Sequence, residues 1–284
     1  MTAPKKRNWL ITGVSSGLGR AIAEAALAAG DTVAGTVRNA TDKAAFDKLA
    51  PGRSFGFILD VKDEANVGTT VETVEHVLGG IDILVNNAGH GLMGAIEETS
   101  LAEIRALFDV NVFGAIAVLQ AVIPFMRQQR AGHIINVTSV SGLAIWAGTG
   151  PYCASKHALE AIGQTLADEL APLGVKVTNV EPGGLRTDFA GRSLAVAARQ
   201  IDDYAPTAHL SKKILAEHAG HEPGDPRKAA RAIVDIAGSR DAPMHLLLGT
   251  DAMFYMGRKL SALQLELAKW APTTVGIVFG KDEA

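Results

Sequence analysis

The sequence of 284 residues is poor in cysteine, in aromatic residues and in net charge. A single cysteine excludes a disulfide framework and a zinc site built from thiolates. A formal net charge of -3 disfavours nucleic acid as the main partner, because phosphate binding needs an excess of Lys and Arg. With 48% hydrophobic and 20% charged residues, the composition argues against disorder. Glycine, with 30 residues, is in excess, which suggests backbone that approaches a ligand closely.

We expect neither a targeting signal nor a membrane span. The basic residues Lys5, Lys6 and Arg7 are followed by an apolar stretch that ends at Thr12, which is far too short for the apolar region of a signal peptide. Because we find no run of about 18 apolar residues, we expect no transmembrane helix and no membrane partner. The expected location is therefore the cytoplasm.

Short apolar runs alternate with longer segments of helical period. This alternation predicts an α/β fold, in which a parallel sheet is covered by helices on both faces. No linker or repeat divides the chain, so we expect residues 1–284 to form one doubly wound Rossmann domain with about seven strands. Strands are predicted at Asn8–Thr12, Thr32–Val37, Ser54–Leu59, Asp82–Val85, His133–Val137, Val175–Val180 and His245–Leu248. Helices are predicted at Leu18–Ala29, Glu64–Leu78, Leu101–Gln129, Tyr152–Leu173 and Arg227–Gly238.

Two segments depart from this alternation. Phe189–Pro226 has only patchy helical period and follows a late strand, so it would lie over the edge of the sheet where ligands bind. We therefore favour a substrate lid over an ordinary surface excursion. Asp251–Trp270 is predicted to be an amphipathic helix, which packs in the core or in an oligomer rather than on a membrane because its polar face lacks a strongly basic border.

A glycine-rich turn joins the first predicted strand to the first helix. Its position matches the dinucleotide-binding fingerprint, in which Gly13 allows the tight turn, Gly17 admits a pyrophosphate and Gly19 lets the helix pack closely on the strand. The helix N-terminus then offers free N–H groups and a positive dipole end to the phosphates. The cofactor-binding residues predicted in this turn are Gly13, Ser15, Ser16, Gly17, Leu18 and Gly19.

The end of the second strand bears on the type of dinucleotide. An acidic residue there binds a ribose 2′-hydroxyl, whereas an Arg accommodates a 2′-phosphate. Here Val37 takes the acidic position and Arg38 follows it, so NADP(H) is predicted over NAD(H), with an ordinary exposed Arg as the alternative. Asp60, followed by Val61, ends the third strand and can accept a hydrogen bond from adenine or cap the next helix.

Tyr152 and Lys156 form the predicted catalytic centre. Positions i and i+4 lie on one helix face, so the Lys156 ammonium can approach the Tyr152 phenol and stabilise its ionised form. Tyr152 could then exchange a proton with a carbonyl or an alcohol near neutral pH. The preceding strand ends at Thr138 and Ser139, which places a hydroxyl at the same edge of the sheet. The strand before that ends in the small-residue turn from Asn86 to Gly89, which suits a cofactor.

These motifs together resemble the short-chain dehydrogenase/reductase family, in its shorter single-domain branch. Six of them occur in the family's order and spacing, and they cover most of the chain. They are the T-G-x3-G-x-G of Thr12–Gly19, the N-N-A-G of Asn86–Gly89, Asn111, Ser139, the Y-x3-K of Tyr152 and Lys156, and Pro182-Gly183 with Thr187 downstream.

The resemblance implies a role for each matched residue. Tyr152 would be the acid/base, Lys156 would lower its pKa and bind the nicotinamide ribose, and Ser139 would orient the substrate oxygen. Asn111 would hold a water that relays protons through Lys156. The resemblance also implies cofactor contacts by Asn87, Ala88, Gly89, Pro182, Gly183, Leu185 and Thr187, with Asn87 chiefly stabilising the fold. Ser16 departs from members with a second basic residue, so the NADP(H) prediction depends mainly on Arg38.

Other candidate residues are assigned no chemistry. His90, His157 and Cys153 lie beside motifs, and we expect packing or surface roles for them. No metal site is predicted from the histidines of the lid, and Glu97 and Glu98 are expected to be solvated.

The sequence therefore predicts an NADP(H)-dependent oxidoreductase that interconverts a ketone or aldehyde and an alcohol. An NAD-dependent alcohol dehydrogenase and a cofactor-binding regulatory protein without turnover are the alternatives, and an epimerase or dehydratase is disfavoured by the glycine spacing. The residues expected around the pocket favour an apolar substrate. A homodimer or homotetramer through the helices at Leu101–Gln129 and Tyr152–Leu173 is also expected. The predicted pocket residues are Leu92, Met93, Leu143, Ile145, Trp146 and Phe189.

Overall fold

The fold is known from a computed structural model, which describes residues 6–191, 193–237 and 239–279. Its centre is a parallel sheet of seven strands in the order β3-β2-β1-β4-β6-β7-β9. These strands are β1 (Asn8–Ile11), β2 (Thr32–Val37), β3 (Ser54–Ile58), β4 (Ile83–Asn86), β6 (Gly132–Val137), β7 (Val175–Pro182) and β9 (His245–Leu248). The predicted fold class is confirmed, and the predicted strands lie within two residues of the observed ones.

Helices cover both faces of the sheet, as the continuously apolar strands require. One core forms where α1 (Gly17–Ala28) and α8 (Pro226–Ala237) pack on the sheet, and it includes Trp9 and Phe46. A second core forms on the other face under α3 (Glu64–Leu78), α5 (Ala115–Gln129) and α6 (Gly150–Leu170). A short helix that the sequence did not predict, α2 (Ala40–Asp47), begins with Asn39 as its N-cap.

The predicted helix at Leu101–Gln129 is helical throughout but changes geometry in its middle. It consists of α4 (Leu101–Phe108), a π-helical turn at Asp109–Gly114 and α5. By length and composition alone this run is apolar enough to cross a membrane, which corrects the expectation that the chain has no such helix. Its inner face packs into the second core through Val118, Leu119, Val122 and Met126.

The segment predicted to be a lid has regular structure of its own. Its first part forms β8 (Leu194–Val196), which pairs in parallel with β5 (Gly91–Met93) as a separate two-stranded sheet. Its second part forms a π-helical turn at Ala205–His209 and then α7 (Leu210–His218). The segment is therefore joined by backbone hydrogen bonds to the loop after β4.

The C-terminal helix differs from its prediction in length and in environment. It runs from Thr250 to Val275 as α9, five residues beyond the predicted end. The expectation that it packs in the core is wrong, because Ala252 is its one buried residue among those described and nearly all of its length is exposed.

A pair of buried acidic residues lies between α6 and the edge of the sheet. Glu160 on α6 and Glu181 on β7 are 3% and 0% exposed, and both approach His245 on β9. The His245 Nδ1 atom lies 2.7 Å from Glu181 Oε1 and 3.2 Å from Glu160 Oε1. Burial, followed by the charge of Glu160, raises the pKa of Glu181 to about 7, against the effect of His245. The pair is therefore stable when one of its carboxyl groups keeps a proton.

We expect the Glu181→Gln variant to be more stable than the wild type above pH 7, by about 1 kcal/mol. The pKa of Glu181 in the fold lies above its ordinary value of 4.5, so the folded chain holds a proton that the unfolded chain has released. Stability should consequently fall as the pH rises from about 4.5 through about 7, and Gln should abolish that fall. Thermal unfolding at pH 5 and pH 8 measures both, with the exposed Glu217→Gln as the control. An unchanged pH dependence in Glu181→Gln would contradict the assignment.

Candidate active site

The turns that follow β1, β4, β6 and β7 meet at the carboxyl edge of the sheet. In open α/β sheets this edge binds ligands where the strand order changes direction, which here is between β1 and β4. All the motifs of the sequence lie on these turns or on the helices that follow them.

The glycine turn is held in place by Asn87, from the turn after β4. The Asn87 side-chain amide donates to the carbonyl oxygens of Thr12 (2.8 Å) and Gly13 (3.0 Å). Gly13 and Gly17 have φ values of 73° and 61°, where side chains are strained. A β-carbon on Gly19 would overlap the Asn87 amide nitrogen and the Gly13 carbonyl oxygen. Position 19 must therefore be glycine, because the Asn87 side chain and the backbone of the turn leave no space for a β-carbon there.

The start of α1 suits a pyrophosphate. Ser16 is the N-cap but its side chain makes no capping hydrogen bond, and the first turn of α1 has no acidic residue. Among the described residues, a β-carbon built on Gly17 meets only Thr187, at 3.8 Å, so the space above the turn is open. Free N–H groups, a positive dipole end and open space are what a dinucleotide phosphate needs. The residues present therefore fit the predicted cofactor, and the phosphates would be held by the backbone from Ser15 to Gly19.

The residues predicted to contact the adenosine end lie at the ends of β2 and β3. Arg38 is exposed directly after β2, and Val61 is buried. Asp60 accepts a hydrogen bond from the backbone of Lys62 at 3.1 Å and pairs with its ammonium at 3.6 Å. The suggestion that Asp60 caps the next helix is wrong, because Asp63 is the N-cap of α3. Contact with adenine stays a prediction for Asp60.

The structure brings Tyr152, Lys156 and Ser139 together. The Lys156 Nζ atom lies 5.9 Å from the centre of the Tyr152 ring and donates to the carbonyl oxygen of Val137 at 2.9 Å. The Tyr152 hydroxyl hydrogen-bonds with Ser139, whose Oγ also accepts from the backbone of Ser141 at 3.0 Å. The first helical turn of α6, which contains Pro151, thereby directs Tyr152 and Lys156 to the carboxyl end of β6.

Burial shifts the pKa values of Tyr152 and Lys156 in opposite directions. It raises the pKa of Tyr152 to about 12, although the hydrogen bond with Ser139 lowers it. Burial also lowers the pKa of Lys156 to about 8. In both cases the charged form is disfavoured, so Tyr152 keeps its proton at neutral pH in the protein alone. Further positive charge is needed for Tyr152 to ionise.

Asn111 lies in the π-helical turn, and protein groups bind its whole side-chain amide. Its Oδ1 accepts from the backbone N–H of His90 at 3.0 Å, and its Nδ2 donates to the His90 carbonyl at 2.9 Å and to Ser155 Oγ at 3.1 Å. These bonds fix the loop after β4 against α6, close to Lys156. The observed role of the side chain is therefore positional, and the proton-relaying water stays a prediction.

The loop predicted to hold the nicotinamide is fixed by Asp251, a residue that belongs to none of the predicted motifs. The Asp251 Oδ2 atom accepts from the backbone N–H of Gly184 at 2.7 Å. A β-carbon on Gly183 would overlap this carboxylate, which explains the glycine there. Pro182 ends β7, and Leu185 forms an isolated bridge with Gly224 of the lid segment. Thr187 lies across the open space from Gly17.

The lid segment packs beside Tyr152 and is held by a buried carboxylate. The Phe189 ring lies 5.7 Å from the Tyr152 ring. The Glu98 carboxylate, which is 2% exposed, accepts hydrogen bonds from the backbone of Ala95 (2.8 Å) and Ile201 (2.7 Å) and lies 2.6 Å from His209 Nε2. We call this arrangement the Glu98 clasp. The expectation that Glu98 is solvated is wrong, because the side chain is buried. Its partners in the lid are more than a hundred residues away in the sequence, so the sequence around Glu98 does not indicate them.

The clasp remains charged over the whole physiological range. Burial alone would raise the pKa of Glu98, but the hydrogen bonds from His209, Ala95 and Ile201 lower it to about 2. The stability that this charge provides is complete above about pH 4.5 and is lost as the pH falls through about 2.

His157 and Cys153, for which no chemistry is predicted, contact each other on α6. The ring of exposed His157 lies 2.9 Å from the carbonyl oxygen of Cys153.

Comparisons with known proteins agree with this geometry. Residues 7–196 match the family model described as short chain dehydrogenase. The chain is 36% identical over 263 residues to the oxidoreductase BOA17 of Botryotinia fuckeliana, covering 92% of this chain and 96% of that protein. It is 32% identical to the 3-ketodihydrosphingosine reductase of Bacteroides thetaiotaomicron, covering 92% and 95%. A crystal structure of a short-chain dehydrogenase from Streptomyces avermitilis superimposes with a TM-score of 0.91 at 38% identity, covering 97% and 100%.

We expect the Glu98→Gln variant to loosen the lid. A neutral amide cannot accept all three bonds, and its NH2 group faces donors, so the clasp should weaken by about 1–3 kcal/mol. Hydrogen exchange should then show faster exchange of the Ile201 amide by about tenfold or more. The neighbouring Glu97→Gln is the matched control, because Glu97 is exposed and contacts Tyr204 and Arg199 on the surface. Equal protection of Ile201 in both variants would show that the clasp does not hold the lid.

Proposed function

The chain belongs to the short-chain dehydrogenase family, and on that premise we propose that it is an NADP(H)-dependent oxidoreductase that interconverts a ketone or aldehyde and an alcohol. Its family acts on CH–OH and C=O groups and binds NAD(P), and its named relatives are oxidoreductases and dehydrogenases. The observation that carries the proposal is the joint position of Tyr152, Lys156 and Ser139 under the Phe189 ring, at the carboxyl edge of the sheet. When bound, the nicotinamide supplies or accepts the hydride.

Tyr152 is the proton donor in the proposed reduction and the acceptor in the reverse direction. Its hydroxyl hydrogen-bonds with Ser139, so a substrate oxygen between the two would receive a hydrogen bond from each. In the reduction the Tyr152 proton passes to that oxygen as negative charge develops on it. The nearby Lys156 ammonium stabilises the phenolate that remains. Because the pKa of Lys156 is about 8, its side chain is protonated and positively charged at neutral pH, where it acts on Tyr152.

We propose an apolar substrate. Ile145 is 66% exposed, and Trp146 lies partly exposed beside it on the segment after Ser139. Phe189 of the lid covers the other side of Tyr152. Leu92 and Met93 differ from their prediction, because each is buried, 2% exposed, in the strand that pairs with the lid. The relative named 3-ketodihydrosphingosine reductase is consistent with a long-chain carbonyl compound as substrate.

The preference for NADP(H) depends on Arg38. Its exposed guanidinium at the end of β2 has the fork of donors that matches a phosphate, and no carboxylate takes the neighbouring position of Val37. Cytoplasmic location and assembly through the helices at Leu101–Gln129 and Tyr152–Leu173 are part of the same proposal. A regulatory protein without turnover is the second candidate, since the closed lid over Tyr152 would also suit a protein that only binds cofactor.

We expect the wild type to oxidise NADPH in the presence of aldehydes and ketones, with a KM that falls as the apolar chain of the substrate lengthens. The Tyr152→Phe variant should bind NADPH but lose at least about 100-fold in kcat, because the proton donor is removed. NADPH absorbance measures turnover, and NADPH fluorescence measures binding. Tyr204→Phe is the matched control, since that hydroxyl contacts Glu97 on the surface. Full turnover by Tyr152→Phe would exclude Tyr152 as the acid, and silence of the wild type with tight NADPH binding would favour the regulatory protein.

We expect the Arg38→Asp variant to change the cofactor preference towards NADH by about 100-fold in the ratio of kcat/KM values. The substitution removes a phosphate-binding fork and introduces a carboxylate that repels the 2′-phosphate and can accept the ribose hydroxyl. Steady-state rates with NADPH and NADH measure the ratio. Lys48→Asp makes the same charge change just beyond the other end of α2, where Lys48 is exposed. If both variants keep the wild-type ratio, Arg38 does not select the cofactor.

A further inference from the structure

The C-terminal helix α9 carries an apolar stripe that the described part of the chain leaves largely uncovered. Its residues are spaced alternately by three and four positions, and apart from half-buried Met256 each is between 42% and 64% exposed. They follow the root of the helix, where Ala252 is buried and Tyr255 packs against Trp146 at 4.9 Å. The stripe consists of Met253, Met256, Leu260, Leu263, Leu267 and Trp270.

The spacing of the stripe indicates what covers it. Apolar residues every 3.5 positions on average form the narrow seam of a coiled coil, which another helix of the same period covers. The stripe extends for about 26 Å along the helix, at 1.5 Å per residue. The opposite side of α9 holds Arg258 and Lys269 but also the exposed apolar side chain of Leu265, so it is not the uniformly basic face of a helix that lies on a membrane.

We propose that α9 pairs with α9 of a second copy of this chain, as an antiparallel coiled coil centred between Ser261 and Ala262. In this register Leu260 packs against Leu263 of the partner subunit, Met256 against Leu267 of the partner subunit and Met253 against Trp270 of the partner subunit. Each apolar residue of the stripe is then covered by another one. The proposal adds an interface to the one expected at the long helices beside the sheet.

The charges beside the stripe select this orientation. In the antiparallel register Lys259 faces Glu266 of the partner subunit, and the two-fold symmetry produces this ion pair twice. Neither Lys259 nor Glu266 has an ion-pair partner within the residues that the structure describes. In a parallel pair Lys259 would face Gln264 of the partner subunit, and Glu266 would face Ala271 of the partner subunit, so no ion pair would form. Charge complementarity therefore favours an antiparallel second copy.

Sedimentation velocity of the full chain over a range of concentrations tests the pairing. We expect Leu263→Glu to halve the mass of the wild-type assembly, because it places a carboxylate in both central layers. Leu265→Glu makes the same change on the opposite side of α9, where Leu265 is 73% exposed, and should leave the mass unchanged. Far-UV circular dichroism and the melting temperature check that both variants are folded. If the assembly formed by Leu263→Glu has the same mass as that of the wild type, the proposal is wrong.

A charge swap tests the register. Lys259→Glu and Glu266→Lys each place like charges opposite each other twice, so each should raise the dissociation constant of this contact about tenfold. The double variant K259E/E266K should restore the wild-type constant. The antiparallel register is wrong if the single variants leave the dissociation constant unchanged, or if the double variant shows the added effects of both substitutions. If Leu263→Glu instead abolishes binding to anionic phospholipid vesicles without changing the mass, a membrane covers the stripe and the proposal fails.

Discussion

The site depends on the hydrogen bonds that join the turn after β1 to the turn after β4. Thr12 Oγ1 accepts the backbone N–H groups of Asn87 (2.9 Å) and Ala88 (3.0 Å), while the Asn87 amide donates back to the carbonyls of Thr12 and Gly13. These two strands are neighbours at the point where the order of the sheet reverses, so helices leave them in opposite directions and a crevice opens between their turns. The reciprocal bonds close the base of this crevice. The glycine turn, the loop that Asn111 binds and the position of Lys156 all follow from that fixed base.

Burial rather than charge dominates the electrostatics at the reacting groups. Tyr152 and Lys156 lie close together, yet each is shifted towards its neutral form, Tyr152 upwards and Lys156 downwards. Such a pair holds its protons in the free protein and responds strongly to a positive charge brought into the same volume. We therefore expect proton transfer at Tyr152 to depend on occupation of the crevice beside it. The Phe189 ring adds to the burial of Tyr152 by packing beside its ring.

The sequence predicts those parts of the fold that are determined locally. Continuous apolar runs identify the strands, and the glycines of the first turn identify the crevice, because both patterns reflect a few adjacent residues. The clasp at Glu98, the carboxylate of Asp251 at the nicotinamide loop and the acidic pair of Glu160 and Glu181 are not predictable in this way. In each case the partner is distant in the sequence, and a buried Glu or Asp has the same letter as an exposed one. The π-helical turn at Asp109–Gly114 is likewise hidden, since its residues have no distinctive composition.

The Glu98 clasp has a consequence for how the lid can move. One carboxylate joins Ala95 of the body of the protein to Ile201 and His209 of the lid, which lie before and at the end of the π-helical turn that leads into α7. Releasing either lid residue alone leaves a buried charge with too few donors, an arrangement that is unfavourable compared with both the closed and the fully open lid. We therefore expect the segment to detach as a unit, with both of its contacts to Glu98 broken together, and partly detached states to be scarcely populated.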